Sequence, residues 1–358
     1  MAQALASRLS ASPQREGIVS KLLNSLAAST AESYGSHVAR FVRFCDAQPD
    51  RPSPLPASTD TVLRWLEGDV CARGTVLADS LQPYLSAINR IHRDCGFDEP
   101  ALGHLVQQYK GGLAHAQTAR GRSSERVYLP PPVVDGVLSW ALEVDLDAAG
   151  PAVHELFRAA VATVFTFCFF ARGATGAALL AKHVRRGPAG ELLITLDHEK
   201  GKAKRARARL LTIPAGAVPG LDELLVKWEE LRGGSAGGAS GEHSYYALPS
   251  ERLRARGQPA RFRSPQIDSW LQLVLRHFGV APPAGETWSG HSLRKGAASG
   301  ASAIGVAIDR ICWCGGWSVQ ARVVYDYVDP TCPSSLAAYR FFGWLLPRLP
   351  VVKPHETA

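Results

Sequence analysis

His291 and Arg294 stand three residues apart where a helix is expected to begin, after Trp288-Ser289-Gly290 and ahead of the small residues from Gly296 to Gly300. At that spacing both side chains leave one helix face. A guanidinium fork pairs with two oxygens of a phosphate, and an imidazole beside it donates a hydrogen bond or takes a proton, so the pair makes a phosphate site. Downstream come Gly316-Trp317-Ser318 and then Tyr325. A tyrosine hydroxyl brought to that phosphate can attack it. Two tyrosines compete for the role, Tyr325 eight residues after Trp317 and Tyr327 ten after. Residues two apart on a helix point to different faces, so only one of them reaches the phosphate. Each piece also has a plainer reading: a surface or capping His-Arg pair, and a turn with a core tryptophan.

The order His-x-x-Arg, Gly-Trp, then a tyrosine resembles the C-terminal signature of the tyrosine recombinases, the phage-integrase-like enzymes that break and rejoin DNA. Tyr325-Asp326-Tyr327-Val328 resembles that family's frequent Tyr-x-His-Val ending. The resemblance implies that Tyr325 is the nucleophile and that Tyr327 packs or binds DNA. It also implies a first arginine upstream, after an apolar helix, followed three residues later by an acid and then by a leucine. Phe169-Phe170-Ala171-Arg172-Gly173-Ala174-Thr175, with Leu179 at the apolar place, makes Arg172 the candidate. Thr175 departs from the acid that would hold the guanidinium. Trp317 takes a place that is histidine in many members, where its indole N–H donates to the phosphate. The family's general acid is a lysine on a β-hairpin, which here implies Lys200, then Lys202, then Lys204.

The implied chemistry makes definite demands. Attack on a phosphodiester needs the phosphate charge neutralised, the phenol deprotonated and the leaving 5′-oxygen protonated. A free phenol has a pKa of about 10, so strong positive potential is required at the site. Two arginines, Arg172 and Arg294, meet the first demand and help with the second. The chemistry calls for no metal and no nucleotide cofactor.

Composition agrees with a polyanionic partner, since the chain carries a net charge of +8. Its 358 residues suggest two domains, and 46% hydrophobic content is enough for ordinary buried cores. Seven cysteines, without a C-x-x-C pair or a zinc-ligand spacing, point to neither a disulfide framework nor a structural metal. Cys312 and Cys314 read as buried free thiols. Met1 to Pro13 lacks the apolar core of a signal peptide, and the longest apolar run, Ala159 to Ala171, is too short to cross a bilayer. An intracellular protein with no membrane role is expected, nuclear in a eukaryote and in the cytoplasm or nucleoid of a bacterium.

The elements that must position these residues follow from periodicity and breakers. Residues 1–13 read as a disordered N-terminus and 14–118 as a helical unit. Its first helix opens on a Ser29/Glu32 capping box and carries Tyr34, Val38, Phe41 and Cys45 as a stripe. Further helices carry Val62 to Leu66, Leu81 to Ile91 and Leu105 to Ala114. Residues 119–132, with Arg120, Arg122 and Arg126 before three prolines, read as an exposed linker that can also follow a DNA backbone. From 133 to 348 helices resume, interrupted by strands at Glu191 to Leu196 and Leu210 to Ile213. Between these strands Lys200 to Arg209 holds six positive charges in ten residues, among them Lys202, Lys204, Arg205 and Arg207. The two strands are expected to form a hairpin. Gly233 to Gly241 reads as an inserted loop, Ser264 to Phe278 as a helix, and residues 349–358 as a tail. The apolar stretch from Ala337 to Leu346 needs burial, on its own core or, as the resemblance also allows, on a neighbouring protomer.

The expected fold is mainly α with a small β-hairpin or sheet, in two domains. By resemblance these are an N-terminal SAM-like helical core-binding bundle and an α+β catalytic domain. The resemblance implies a site-specific recombinase or integrase that works through a 3′-phosphotyrosyl intermediate. The alternatives are a DNA-binding protein of the same fold with a decayed site, and a type IB-like topoisomerase. The implied partner is double-stranded DNA, with a monomer in solution and a homotetramer assembled on DNA.

Overall fold

The computed structural model describes residues 28–119, 127–196, 209–233, 241–251, 260–284, 286–320 and 322–347. The chain divides into two compact units, Met1–Glu125 and Arg126–Ala358.

In the first unit the described residues form α1 (Ala28–Ala47), α2 (Thr59–Trp65, continued by a π-turn at Leu66–Val70), α3 (Gln82–Asp94) and α4 (His104–Ala119). Ser29 lies within the first described turn of α1. Ser58 is a true cap, its Oγ accepting the Thr61 N–H at 3.1 Å. Pro83 sits in the first turn of α3, where a missing N–H costs no helical bond. The α1 stripe buries Phe41 and Cys45, and the Phe41 ring meets Trp65 edge-on at 4.9 Å.

The second unit is built around α6 (Pro151–Cys168), in which every residue from Leu156 to Cys168 is buried. A helix apolar on all sides needs neighbours on all sides. They are α5 (Pro131–Glu143), α8 (Leu221–Leu231), α9 (Ser264–His277) and α10 (Gly290–Ala303), with the short α7 (Gly173–Ala177) at its C-terminal end. After α10 come α11 (Ile308–Gly315) and α12 (Leu336–Phe342). The rings of Phe341 and Phe342 pack on Phe167 at 5.2 and 5.3 Å, and Phe342 also reaches Phe170 at 5.0 Å. Arg340 fastens the same helix to Asp135 at 2.7 Å. The apolar tail therefore covers the core of its own chain.

The expected hairpin is part of a three-stranded antiparallel sheet in the order β1 (Val184–Arg186), β2 (Leu192–Leu196), β3 (Arg209–Ile213). Val184 faces Ile194, and Leu192 faces Ile213. Leu192, Ile194 and Leu196 are buried at the alternating spacing of a half-buried strand. Strand β1 had no sequence signal, because two of its three residues are arginines. Exposed charges on an edge strand are what keep such an edge from pairing with another chain. Lys200, Lys202, Lys204, Arg205 and Arg207, and likewise Arg120, Arg122 and Arg126, lie outside the described residues. No helix among the described residues is long and apolar enough to cross a membrane.

One buried histidine gives the first unit a pH dependence. His92 accepts the Ala57 N–H on Nε2 at 2.8 Å, so its proton is on Nδ1, which donates to the Ile88 carbonyl at 2.8 Å. Burial lowers its pKa from the ordinary value, against the opposing pull of the Ile88 bond. A histidine with a depressed folded pKa stabilises fully above its unfolded pKa of about 6.5, and the stability is lost as pH falls from there toward the folded value. Amide protection factors in α2 and α3, corrected for intrinsic exchange, are expected to fall below about pH 6.5. His92→Gln, which keeps a donor and an acceptor without titrating, is expected to flatten that response. An equal response in the variant would remove His92 as the cause.

Candidate active site

Three groups from two chain segments meet at the guanidinium of Arg294. The first lies at the end of α6, where Phe170 adopts φ +51°, a left-handed conformation that bulky residues rarely hold. That turn directs the Phe170 carbonyl to Nη1 of Arg294, which donates to it. The second lies at the end of α11, whose Gly315 carbonyl accepts from Nη2 at 2.6 Å. The third is Trp317. Gly316, at φ +67°, reverses the chain, and the Trp317 N–H returns to the Cys312 carbonyl at 2.9 Å. The indole then lies on the guanidinium, with Cζ of Arg294 at 3.7 Å from the ring centroid. Arg294 is only 1% exposed, so this is a cation–π contact inside the core, where such contacts are strongest.

The N-terminus of α10 is set by close backbone approach. A Cβ on Gly290 would lie 3.0 Å from the Cα of Gly173, tighter than ordinary contact, so glycine suits this close approach of two segments. Asp268 on α9 accepts the Gly290 N–H at 2.6 Å, an anion placed at the positive end of the helix. Arg172 immediately precedes Gly173, and His291 immediately follows Gly290, so this contact brings the two backbones side by side. Arg172 is half-buried, and its side chain has no hydrogen-bond or ion-pair partner among the described residues. Thr175, in the place where the family carries an acid, is buried.

The tyrosines divide clearly. The Tyr327 ring lies 5.0 Å from Trp317 and 6.4 Å from His291, and Arg294 sits over its face at 5.2 Å. Tyr325 stands in a 3-10 turn at Arg322–Asp326 and is 60% exposed. The structure thus brings Arg294, His291, Trp317 and Tyr327 together, with the Arg172 backbone beside them, and holds Tyr325 at the surface of the same unit. The Trp317 indole N–H is buried and has no hydrogen-bond partner among the described residues. Cys314 is no rival nucleophile, because burial pushes its thiol up to about 12.

Strand β3 is tied to the site at its first residue, Arg209. Arg209 donates to the carbonyls of Trp313 and Cys314 at 2.8 and 2.7 Å, next to the Gly315 carbonyl that Arg294 holds. Spacing from the signature did not reveal Phe170 or Gly315, which act through their carbonyls, and side-chain types do not report carbonyls.

Gly315 is the tightest of these approaches. A Cβ there would run into the six-membered ring of Trp317, which has no room to retreat while it lies on Arg294. Gly315→Ala is expected to cost about 1–3 kcal/mol through overpacking, read as a fall of several degrees in melting temperature. A wild-type melting curve for this variant would show that the indole is not wedged as described.

No protein-family model matches the chain, and no curated protein matches it. Solved structures do. A lambda integrase fragment, crystallised as a dimer bound to a COC′ core site, superposes with a TM-score of 0.52 at 17% identity, over 87% of this chain and 93% of that one. The XerH site-specific recombinase, bound to a palindromic difH substrate in a post-cleavage complex, gives 0.56 at 12% identity over 91% and 90%. The Tn1549 transposon integrase in complex with circular intermediate DNA gives 0.52 at 10% identity over 95% and 97%. The chain has the fold of the tyrosine recombinases and integrases.

Proposed function

We propose that this protein is a site-specific DNA recombinase that cuts and rejoins strands through a 3′-phosphotyrosyl intermediate. The observation that carries the reading is the buried Arg294 stacked on Trp317, with His291 on the same helix face and a tyrosine-bearing segment beside it. In the proposed reaction Arg294 and Arg172 hold the scissile phosphate, and His291 and the Trp317 indole donate to its oxygens. The Tyr325 hydroxyl loses its proton to solvent as its oxygen bonds to phosphorus, and the bond to the 5′-oxygen breaks. Lys200 or Lys202 gives that oxygen its proton. The 3′-phosphotyrosyl bond keeps the energy of the broken strand, and a free 5′-hydroxyl reverses the step to reseal it. The helical first unit is assigned as a second DNA-binding domain, and the basic segments 120–126 and 202–207 as backbone contacts. The protein is a monomer off DNA and a tetramer on two duplexes.

A second reading has its own observation. Tyr327, not Tyr325, occupies the ring contact with Trp317, and Thr175 stands where an acid would orient Arg172. A protein of this fold that binds DNA without cutting it fits both facts.

Covalent capture separates the two. Incubation with labelled, nicked duplexes of randomised sequence is expected to yield a protein–DNA adduct stable to denaturant, formed equally well in EDTA and without ATP. Tyr325→Phe is expected to abolish the adduct and leave DNA binding nearly unchanged, since only a hydroxyl is lost. Binding by either protein is expected to weaken steeply with salt, because phosphate contacts release counterions. Binding without any adduct from the wild type would favour the second reading, and an adduct in Tyr325→Phe would move the nucleophile to Tyr327.

A further inference from the structure

The segment that carries both tyrosines is latched to α10 just beyond them. Lys295 and Ser299 follow His291 by one and two helical turns and lie on the same face. Ser299 is buried, and its hydroxyl donates to the Tyr327 carbonyl at 3.2 Å while accepting the Asp329 N–H at 2.8 Å. The Lys295 ammonium lies 3.1 Å from one carboxylate oxygen of Asp329. The other oxygen accepts the Thr331 N–H at 3.0 Å and its hydroxyl at 2.6 Å. Burial alone would raise the Asp329 pKa, but the Thr331 bonds and Lys295 hold it below the ordinary carboxylate value, so the ion pair is intact at neutral pH.

This latch treats the two tyrosines differently. Tyr327 has its carbonyl fixed by Ser299 and its ring wedged on Trp317, with Arg294 over the ring face. Tyr325 lies outside the latch, two residues upstream, with its ring in solvent. We propose that Lys295, Ser299 and Asp329 are positioning residues that select the nucleophile: they pin the backbone at Tyr327 and Asp329, keep Tyr327 packed, and leave Tyr325 as the hydroxyl that reaches the phosphate. This rests on the recombinase reading above. Alignment at a reacting centre is sensitive enough that a displacement of about 1 Å can change a rate by about 100-fold.

The test uses the full-length protein, the nicked randomised duplexes, and the variants Lys295→Met, Lys295→Arg, Asp329→Asn and Ser299→Ala. Adduct formation is followed in single turnover, DNA binding by filter retention, and the attached residue by peptide mapping. Lys295→Met, Asp329→Asn and Ser299→Ala are expected to slow adduct formation by about 10- to 100-fold, with binding unchanged and part of the adduct moved to Tyr327. Lys295→Arg, which keeps the ion pair, is expected to retain the wild-type rate and the Tyr325 adduct. Without DNA, N-acetylimidazole is expected to acetylate Tyr325 and spare Tyr327 in the wild type, and to reach both in the three disrupting variants. Wild-type rates with the adduct confined to Tyr325 in those variants would overturn the latch. So would a Lys295→Arg protein as slow as Lys295→Met, since that marks a packing role. A wild type that forms no adduct overturns the recombinase reading itself, a result distinct from either.

Discussion

A guanidinium inside an apolar core is the constraint on which the second unit depends. Removing a cation from water costs several kcal/mol even after relaxation, unless acceptors surround it. Arg294 meets that cost with the Phe170 and Gly315 carbonyls and the face of Trp317. The Phe170 carbonyl follows α6, and the other two groups come from the end of α11 and the turn after it, so satisfying one side chain fixes the ends of α6 and α11 against α10. The left-handed turn at Phe170 is part of the arrangement. Backbone strain of that kind costs on the order of 1–3 kcal/mol and persists only where its surroundings over-determine it. Here the carbonyl is held by Arg294 and the ring by Phe342, so the C-terminal helix that covers the core also braces the site.

The composition of α10 follows from the same constraint. Its sequence has no ordinary apolar stripe, because other chains cross it at close range. A Cβ on Gly296 would run into the Leu129 carbonyl, and one on Gly300 would lie 2.7 Å from the ring of Pro131. The Leu129 N–H donates to the Ser292 carbonyl at 2.9 Å, which ties the chain entering α5 to the turn that holds His291 and Arg294. Small residues allow these approaches, and the approaches give the helix a rigid seat.

Much of this was legible in residue types and little of it in periodicity. The buried helix after residue 150, the two longer strands and the helix at Ser264 follow from apolar spacing. The nearness of His291, Arg294 and Trp317 follows from the signature, whose residue types point to one site. The carbonyls that hold Arg294 and the charged edge strand β1 were not legible, because backbone acceptors have no sequence type and two arginines hide a strand's alternation.

The charges on α10 also have separate uses. Lys295 is one residue from Arg294, yet its ammonium is matched by Asp329 and contributes little net potential at a phosphate. Arg294 is held by carbonyls and rings, which stabilise a cation without cancelling it. In surroundings of low dielectric its field acts on a bound anion with less screening than a surface charge would. One turn of helix therefore carries a cation that holds the tyrosine segment and another that, in the proposed reaction, would attract the phosphate. Position on the helix separates them, because Lys295 faces the returning chain and Arg294 faces the core.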